Sequence, residues 1–412
     1  MKKIFFLLFI IFNIQVSAQC WKTVKSGDFH TLGIKTDGTL WAWGSNDNGQ
    51  LGDGTTTNKN IPTKIGSSSD WQSIFPGDHC SFAIKTDGSL WAWGFNIYGI
   101  LGDNSTLEKH FPTRIGNDND WKFVSNNAYN TLAQKKDNSI WAWGSNSNGT
   151  LGNGSNIDSP IPVQVGNEIT WKSISAGALF STGIKNDGTI WAWGSGYYGE
   201  LGNGNLGNVN IPTQIGNSNN WASISASYHT ILAKKNDGTL WGWGLNKYGE
   251  LGDGTTNRSN SPKQIGTSSD WDIAGIGPGN CYGIKTDGTL WTWGDNTAGQ
   301  LGNGSFSNNY IPSQIVNTLS IQDISLGNLS ATILTTQKDL YSWGSNEHGQ
   351  FGNGQISIKN STPLLISQCT QDNSSNAPEI TATSNPNAYC PGSFTKIVDN
   401  VTLTDPDNIT TE

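Results

Sequence analysis

Apolar and polar positions along this chain fall into a pattern that returns every fifty residues. In one unit, Thr31-Leu32-Gly33-Ile34-Lys35-Thr36 runs into Asp37-Gly38 and then into Thr39-Leu40-Trp41-Ala42-Trp43-Gly44. Two β-prone runs around Asp-Gly predict a hairpin, with a type I′ turn whose two central residues both take φ > 0. The pair returns at Asp87-Gly88, Asp187-Gly188, Asp237-Gly238 and Asp287-Gly288, and softens to Asp137-Asn138. Trp41 and Trp43 fall on one face of the second strand, Leu40 and Ala42 on the other. Both faces are apolar, so burial on two sides is predicted. A glycine-rich corner follows, from Gly44 through Gly49 to Leu51-Gly52-Asp53-Gly54. Ile61-Pro62-Thr63-Lys64-Ile65 then predicts a third strand, which proline places at an edge or strand start. Trp71-Gln72-Ser73-Ile74 predicts a fourth.

The tryptophans fix the period. Trp43, Trp93, Trp143, Trp193, Trp243, Trp293 and Trp343 share one repeat position; Trp41 to Trp291 and Trp21 to Trp271 fill two more, and together these hold all 19. Four short antiparallel strands per unit, seven times over, predict an all-β fold: a seven-bladed β-propeller of four-stranded blades. Trp43-Gly44-x-Asn46-x-x-Gly49-Gln50-Leu51-Gly52-x-Gly54 and its hairpin resemble the repeat of the regulator of chromosome condensation family, over about residues 20 to 369. The resemblance implies the same seven-bladed fold. That family includes a nuclear exchange factor for a small GTPase. It also includes secreted bacterial propellers, one of which inhibits β-lactamase by covering its active site with loops of one face.

The last repeat departs from the pattern, with Tyr341, Phe351, Gln337-Lys338 and Ile321 replacing the usual residues. The chain opens on a fourth-type strand, Trp21-Lys22-Thr23-Val24, and closes its last repeat on a third-type strand, Pro363-Leu364-Leu365-Ile366. These two are expected to pair and close the ring. Cys20 and Cys369 flank the gap where Ser67 to Asp70 sits in the first repeat, and a disulfide between them is expected to replace the missing loop. Cys80 and Cys281 read as small buried residues.

Composition sharpens the picture. Gly contributes 51 of the 412 residues, as a turn-rich chain requires, and the net charge of −8 opposes a nucleic-acid role. Lys2-Lys3, an apolar run over residues 4–14, and Val16-Ser17-Ala18 read as a signal peptide over 1–18, cleaved after Ala18. The expected location is therefore secreted or cell-surface, with no later membrane span. Residues 19–369 form the propeller, monomeric by expectation. Residues 370–412 read as a linker and the start of an immunoglobulin- or cadherin-like β module, with strands around Ile380 and Ile397–Leu403. The module is unfinished at Glu412, as in part of a longer surface protein. Asp405-Pro406-Asp407 reads as turn chemistry rather than a calcium site.

Chemistry-bearing motifs are scarce. His30, His79, His110, His229 and His348 show no metal-ligand spacing, and no nucleophile or phosphate-loop motif occurs. No catalytic residue, cofactor or metal is assigned, and the protein is read as non-enzymatic. The Asn/Asp-Gly corners read as structural turns. The series Lys35, Lys85, Lys135, Lys185, Lys235 and Lys285 reads as structural, each lysine near its own turn aspartate, rather than as an anion-binding ring. Strand direction puts the Asp-Gly turns on one face and the loops near 25–30 and 45–60 of each unit on the other. The second face varies between units and carries Phe95, Tyr98, Tyr129, Phe180, Tyr197, Tyr198, Tyr228 and Tyr248. Aromatics rimmed by Asn and Ser suit recognition. The resulting expectation is an exported propeller that binds a protein through this face, with a glycan-binding or adhesive module as the alternative.

Overall fold

A computed structural model describes residues 20–315, 319–356 and 359–369 in full, and the backbone of 379–383 and 400–404. The signal segment, Cys390 and Asp405-Pro406-Asp407 lie outside these residues. The chain divides into two units, one of them Gln19–Cys369. That unit is a ring of seven antiparallel four-stranded sheets, the β-propeller. In the other unit, Glu379–Thr383 pairs antiparallel with Asn400–Thr404.

Blade 1 consists of β1 (Trp21–Ser26), β2 (His30–Lys35), β3 (Leu40–Gly44) and β4 (Lys59–Lys64), in that spatial order. β1 is innermost and β4, with Pro62, is the outer edge. The blade boundary therefore differs from the sequence expectation by one strand. Trp21–Ser26 pairs with His30–Lys35, and the last outer strand, Lys359–Ser367, pairs with Leu340–Ser345. The first and last strands do not share a sheet. The cause is local: Gly27-Asp28-Phe29 is a tight turn, closed by Gly27 N–H donating to His30 O at 2.8 Å. Ser67–Asp70 instead crosses from the outer edge of one blade to the inner edge of the next.

The Asp-Gly hairpins also differ from expectation. Only Gly38 takes positive φ, at 80°, as does Asn138 at 68° in blade 3. This is a three-residue loop, a type I turn closed by a left-handed residue. Asp37 turns its side chain to other use. Its Oδ1 accepts from Thr39 N–H (3.0 Å) and Thr39 Oγ1–H (2.6 Å), and Thr39 Oγ1 accepts from Trp41 Nε1–H (2.8 Å).

Blades interlock through unlike faces. One face of each sheet is tryptophan, the other aliphatic. Trp71 and Trp93 of blade 2 bury against Leu32, Leu40, Ala42 and Leu51 of blade 1. Trp71 meets Trp91 edge-on, with centroids 6.0 Å apart. The Trp93 indole N–H donates to Gln50 O of the preceding blade at 2.8 Å. Trp43, Trp143, Trp243, Trp293 and Trp343 repeat this bond. Gly52 is required beside it, because φ is 77° and a Cβ would stand 2.8 Å from Trp93 Nε1.

The seam uses the same contacts. Trp21 and Trp43 bury against Leu334 and Leu340 of blade 7. Ser26 N–H donates to Ser325 Oγ at 2.9 Å, matching Ala176 on Ser125 and Ala226 on Ser175. Only the crossing loop is absent, and Cys20 is bonded to Cys369 in its place, with Cα atoms 5.4 Å apart. Cys80 and Cys281 are buried free thiols.

Two outcomes follow. Non-reducing peptide mapping of purified protein will recover a linked Cys20–Cys369 peptide. Cys20→Ser will lower stability by up to ~5 kcal/mol, the chain-entropy scale for so long a loop; two free thiols in oxidised protein contradict this. Separately, Trp193→Ala will cost ~3–5 kcal/mol in denaturant unfolding, while Tyr197→Ala stays within about 0.5 kcal/mol. Trp193 is fully buried and Tyr197 is 65% exposed. Equal losses would contradict the interlock.

Candidate functional site

The two faces of the ring carry different chemistry. On the hairpin-turn face, each lysine of the repeated series lies over two indoles. Lys85 Nζ is 4.8 Å from both the Trp71 and Trp91 ring centroids. It also pairs with Asp70, at 3.0 Å, in the loop between blades. Lys135 pairs with Asp118 and Asp120, Lys185 with Glu168, and Lys285 with Asp270. The partners are thus the crossing-loop acids, not the turn aspartates, which hold Thr or Ser instead. These ammonium groups are engaged by rings and carboxylates, which accounts for them as structural.

On the opposite face, the glycine corner is organised by a buried asparagine. Asn46 Nδ2–H donates to Asp53 Oδ1 (3.1 Å) and to Thr55 O and Thr57 O, while its Oδ1 accepts from Leu51 N–H at 2.9 Å. Asn96, Asn146, Asn246 and Asn296 repeat the arrangement, and blade 4 has Gly196 there. The corners are therefore satisfied turns. In blades 1, 4, 5, 6 and 7 the residue at position 50 completes them: Gln50 Oε1 accepts from Asn48 N–H, and Glu250 Oε2 from Tyr248 N–H at 2.7 Å. Burial raises the Glu250 pKa to about 7, with Asp295 adding to the rise.

The eight aromatics expected on this face separate into three groups. Tyr98, Tyr129 and Tyr197 are exposed. Tyr98 meets Tyr129 edge-on at 5.7 Å, and Tyr197 meets Tyr198 edge-on at 4.8 Å. Phe95, Tyr198, Tyr228 and Tyr248 are half-buried. Tyr198 packs on His229, which Glu200 holds through Nδ1 at 2.8 Å. Phe180 is a correction: it is fully buried in the core between blades 4 and 5. As the first residue of its strand it points between sheets, not outward.

The axis of the ring opens on the same face into a cavity of about 150 Å³. Its walls are the turns after the inner strands, and Asp28 and Asp78 are its charged lining residues. They occupy one repeat position, filled in turn by Asp28, Asp78, Ala128, Ala178, Tyr228, Pro278 and Asn328. Tyr228, at φ 45°, reaches from blade 5 to blade 1, where its hydroxyl donates to Asp28 Oδ2 at 3.0 Å. Burial first, then Asp78, holds the Asp28 carboxyl well above the usual range. The sequence reading passed over both aspartates. Their signal was that one column breaks into acid twice and into tyrosine once.

The model of the RCC1-like domain matches residues 124–385, more than half of the chain. Models of the regulator of chromosome condensation (RCC1) repeat match residues 37–84, 87–127 and, in a second form, 21–50. The chain belongs to the RCC1 repeat family. Three solved structures show the same fold. Human WBSCR16 superposes with a TM-score of 0.71 at 18% identity, over 80% of this chain and 94% of that one. Yeast RCC1 (Prp20) bound to Kap60 gives 0.67 at 19%, over 75% and 78%. Prp20p from Saccharomyces cerevisiae gives 0.66 at 21%, over 74% and 80%.

Within this RCC1-like ring, Glu250 yields a pH prediction. A carboxyl whose folded pKa is raised binds more protons folded than unfolded, so stability falls as pH rises from about 4.5 through about 7. Glu250→Gln keeps the acceptor that Gln50 supplies in blade 1 and removes the charge. The melting temperature of Glu250→Gln will exceed wild type at pH 8, and the gap will close by pH 4. A gap independent of pH contradicts the assignment.

Proposed function

We propose that this RCC1-like propeller is an exported protein that binds another protein through the face bearing the glycine corners. The observation that carries this reading is a set of exposed, mutually braced rings on that face. Tyr98, Tyr129 and Tyr197 stand in solvent, each braced edge-on by a second ring. Braced aromatics lose little freedom on binding and offer a large amphipathic contact. Isolated exposed apolar residues are ordinary, but ordered ring pairs beside a polar cavity have the make-up of an interface core. Ile97 and Leu107, also exposed, extend the patch.

Relatives of the same fold support a protein partner. Yeast RCC1 (Prp20) was solved bound to Kap60, and Prp20p has binding properties to Gsp1p and histones. Export is supported by Lys2-Lys3, the apolar run and Val16-Ser17-Ala18, and by a disulfide that suits an oxidising compartment.

Probing the purified chain against a proteome array and a glycan array tests the reading. Saturable protein binding is expected; glycan hits alone would replace the partner class. With the partner in hand, Tyr98→Ala and Tyr197→Ala will each weaken binding by roughly 30-fold, ~2 kcal/mol. Lys122→Ala and Lys136→Ala, on the hairpin-turn face, will leave it unchanged. The reverse pattern would move the interface to the opposite face.

A further inference from the structure

The axial mouth gathers hydrogen-bond acceptors that lack donors. Asp28 and Asp78 line it from adjacent blades, and Tyr228 supplies a single hydroxyl, to Asp28. Among the described residues neither aspartate has a lysine or arginine partner. The buried corner acids do: Asp53 pairs with Lys59, Asp103 with Lys109, and Asp253 with Lys263. Asp78 has one cationic neighbour, His79 Nε2 at 3.3 Å, which carries charge only when protonated. Two carboxyls held together with little access to water are unfavourable until a cation or a proton joins them.

Behind the cavity wall lies His30, which is fully buried. Ser81 spends its hydroxyl hydrogen on Gln50 O at 2.7 Å, so Ser81 Oγ accepts from His30 Nε2–H at 2.8 Å. Burial holds the His30 pKa down near 3, so the ring is neutral. Its Nδ1 is then a bare lone pair, without a partner among the described residues. This nitrogen faces the Gly27 wall of the cavity, where a Cβ on Gly27 would stand 3.0 Å from it. Gly27 and the Gly77 carbonyl stand between this nitrogen and the cavity.

We propose that the axial mouth receives the guanidinium of one arginine side chain carried by the protein partner. Two carboxyls from adjacent blades present their acceptors to the cavity, and the imidazole nitrogen lies behind its Gly27 wall. A guanidinium answers them with five N–H donors in a plane and a permanent charge, where an ammonium offers three on one atom. The cavity, about 150 Å³, is of the size that holds one benzene-like group rather than a larger ligand. Asn126 and Asn127 line the cavity, and Tyr129, two residues on, belongs to the exposed Tyr98–Tyr129 pair. The partner's backbone then lies across those rings while its arginine enters the axis. The identity of the carrier rests on the protein-binding reading above; the preference of the cavity does not.

A ligand-observed NMR titration of the full chain tests the cavity without any partner. N-acetyl-arginine methylamide will bind saturably, and the citrulline analogue, equal in shape but neutral, at least tenfold more weakly. Both arms use wild-type protein, so neither depends on a variant that folds. Asp28→Asn combined with Asp78→Asn, with its melting temperature measured alongside, will abolish the arginine preference. Equal binding of the two probes, or no binding of either, overturns the site. With the partner in hand, the double variant will lower affinity at least tenfold. If arginine binds but partner affinity is unchanged, the partner does not use the mouth, while the face defined by Tyr98 and Tyr197 stands or falls on its own variants.

Discussion

Everything in this ring depends on how the tryptophan face of one blade seats on the aliphatic face of the blade before it. No single sheet buries its own surface. Trp93 needs Leu32 and Leu40 beneath it, and it needs Gln50 O to satisfy its indole nitrogen. A buried N–H left unpaired costs about 1–3 kcal/mol, so position and register are set together. Aspartate at the hairpin turn belongs to the same device. Through Thr39 it orients the neighbouring Trp41, over which Lys35 Nζ lies at 3.9 Å.

That constraint also explains the division of labour between the faces. The hairpin-turn face is occupied by lysines held over paired indoles, four of them also by crossing-loop acids, and little can vary there without disturbing the interlock. The opposite face is built from turns that the core only anchors. In every blade but the fourth, an asparagine at the Asn46 position holds the corner from inside, which frees the outer positions to be Asn48 in blade 1, Tyr98 in blade 2 or Tyr248 in blade 5. The turns between inner strands are similarly pinned by backbone bonds, such as Asp28 N–H to Gly77 O at 3.1 Å. Their tips alone decide what the axis presents.

The fold was legible in the sequence because its period is written in large residues. Nineteen tryptophans in three columns leave little room for another architecture. The blade boundary was not legible. Periodicity is silent about where a unit begins, and only the Gly27–Phe29 turn, shorter than the Ser67–Asp70 crossing, decides it. Phe180 misled for a related reason: its residue type suits an interface, but the first position of that strand faces the next blade. The axial aspartates escaped because they lie far apart in sequence and resemble loop residues. Only closure of the ring brings Tyr228 to Asp28 across 200 residues.

The central claim is that recognition belongs to the corner-bearing face and its axis. Amide hydrogen exchange of the full chain, with and without its bound partner, tests it most directly. The account predicts slowed exchange in the turns at 27–30, 77–80, 97–99, 127–130, 197–199 and 227–230, with the hairpin turns at 35–39 and 135–139 unchanged. Protection confined to the hairpin turns and the crossing loops near 67–70 and 117–120 would contradict it.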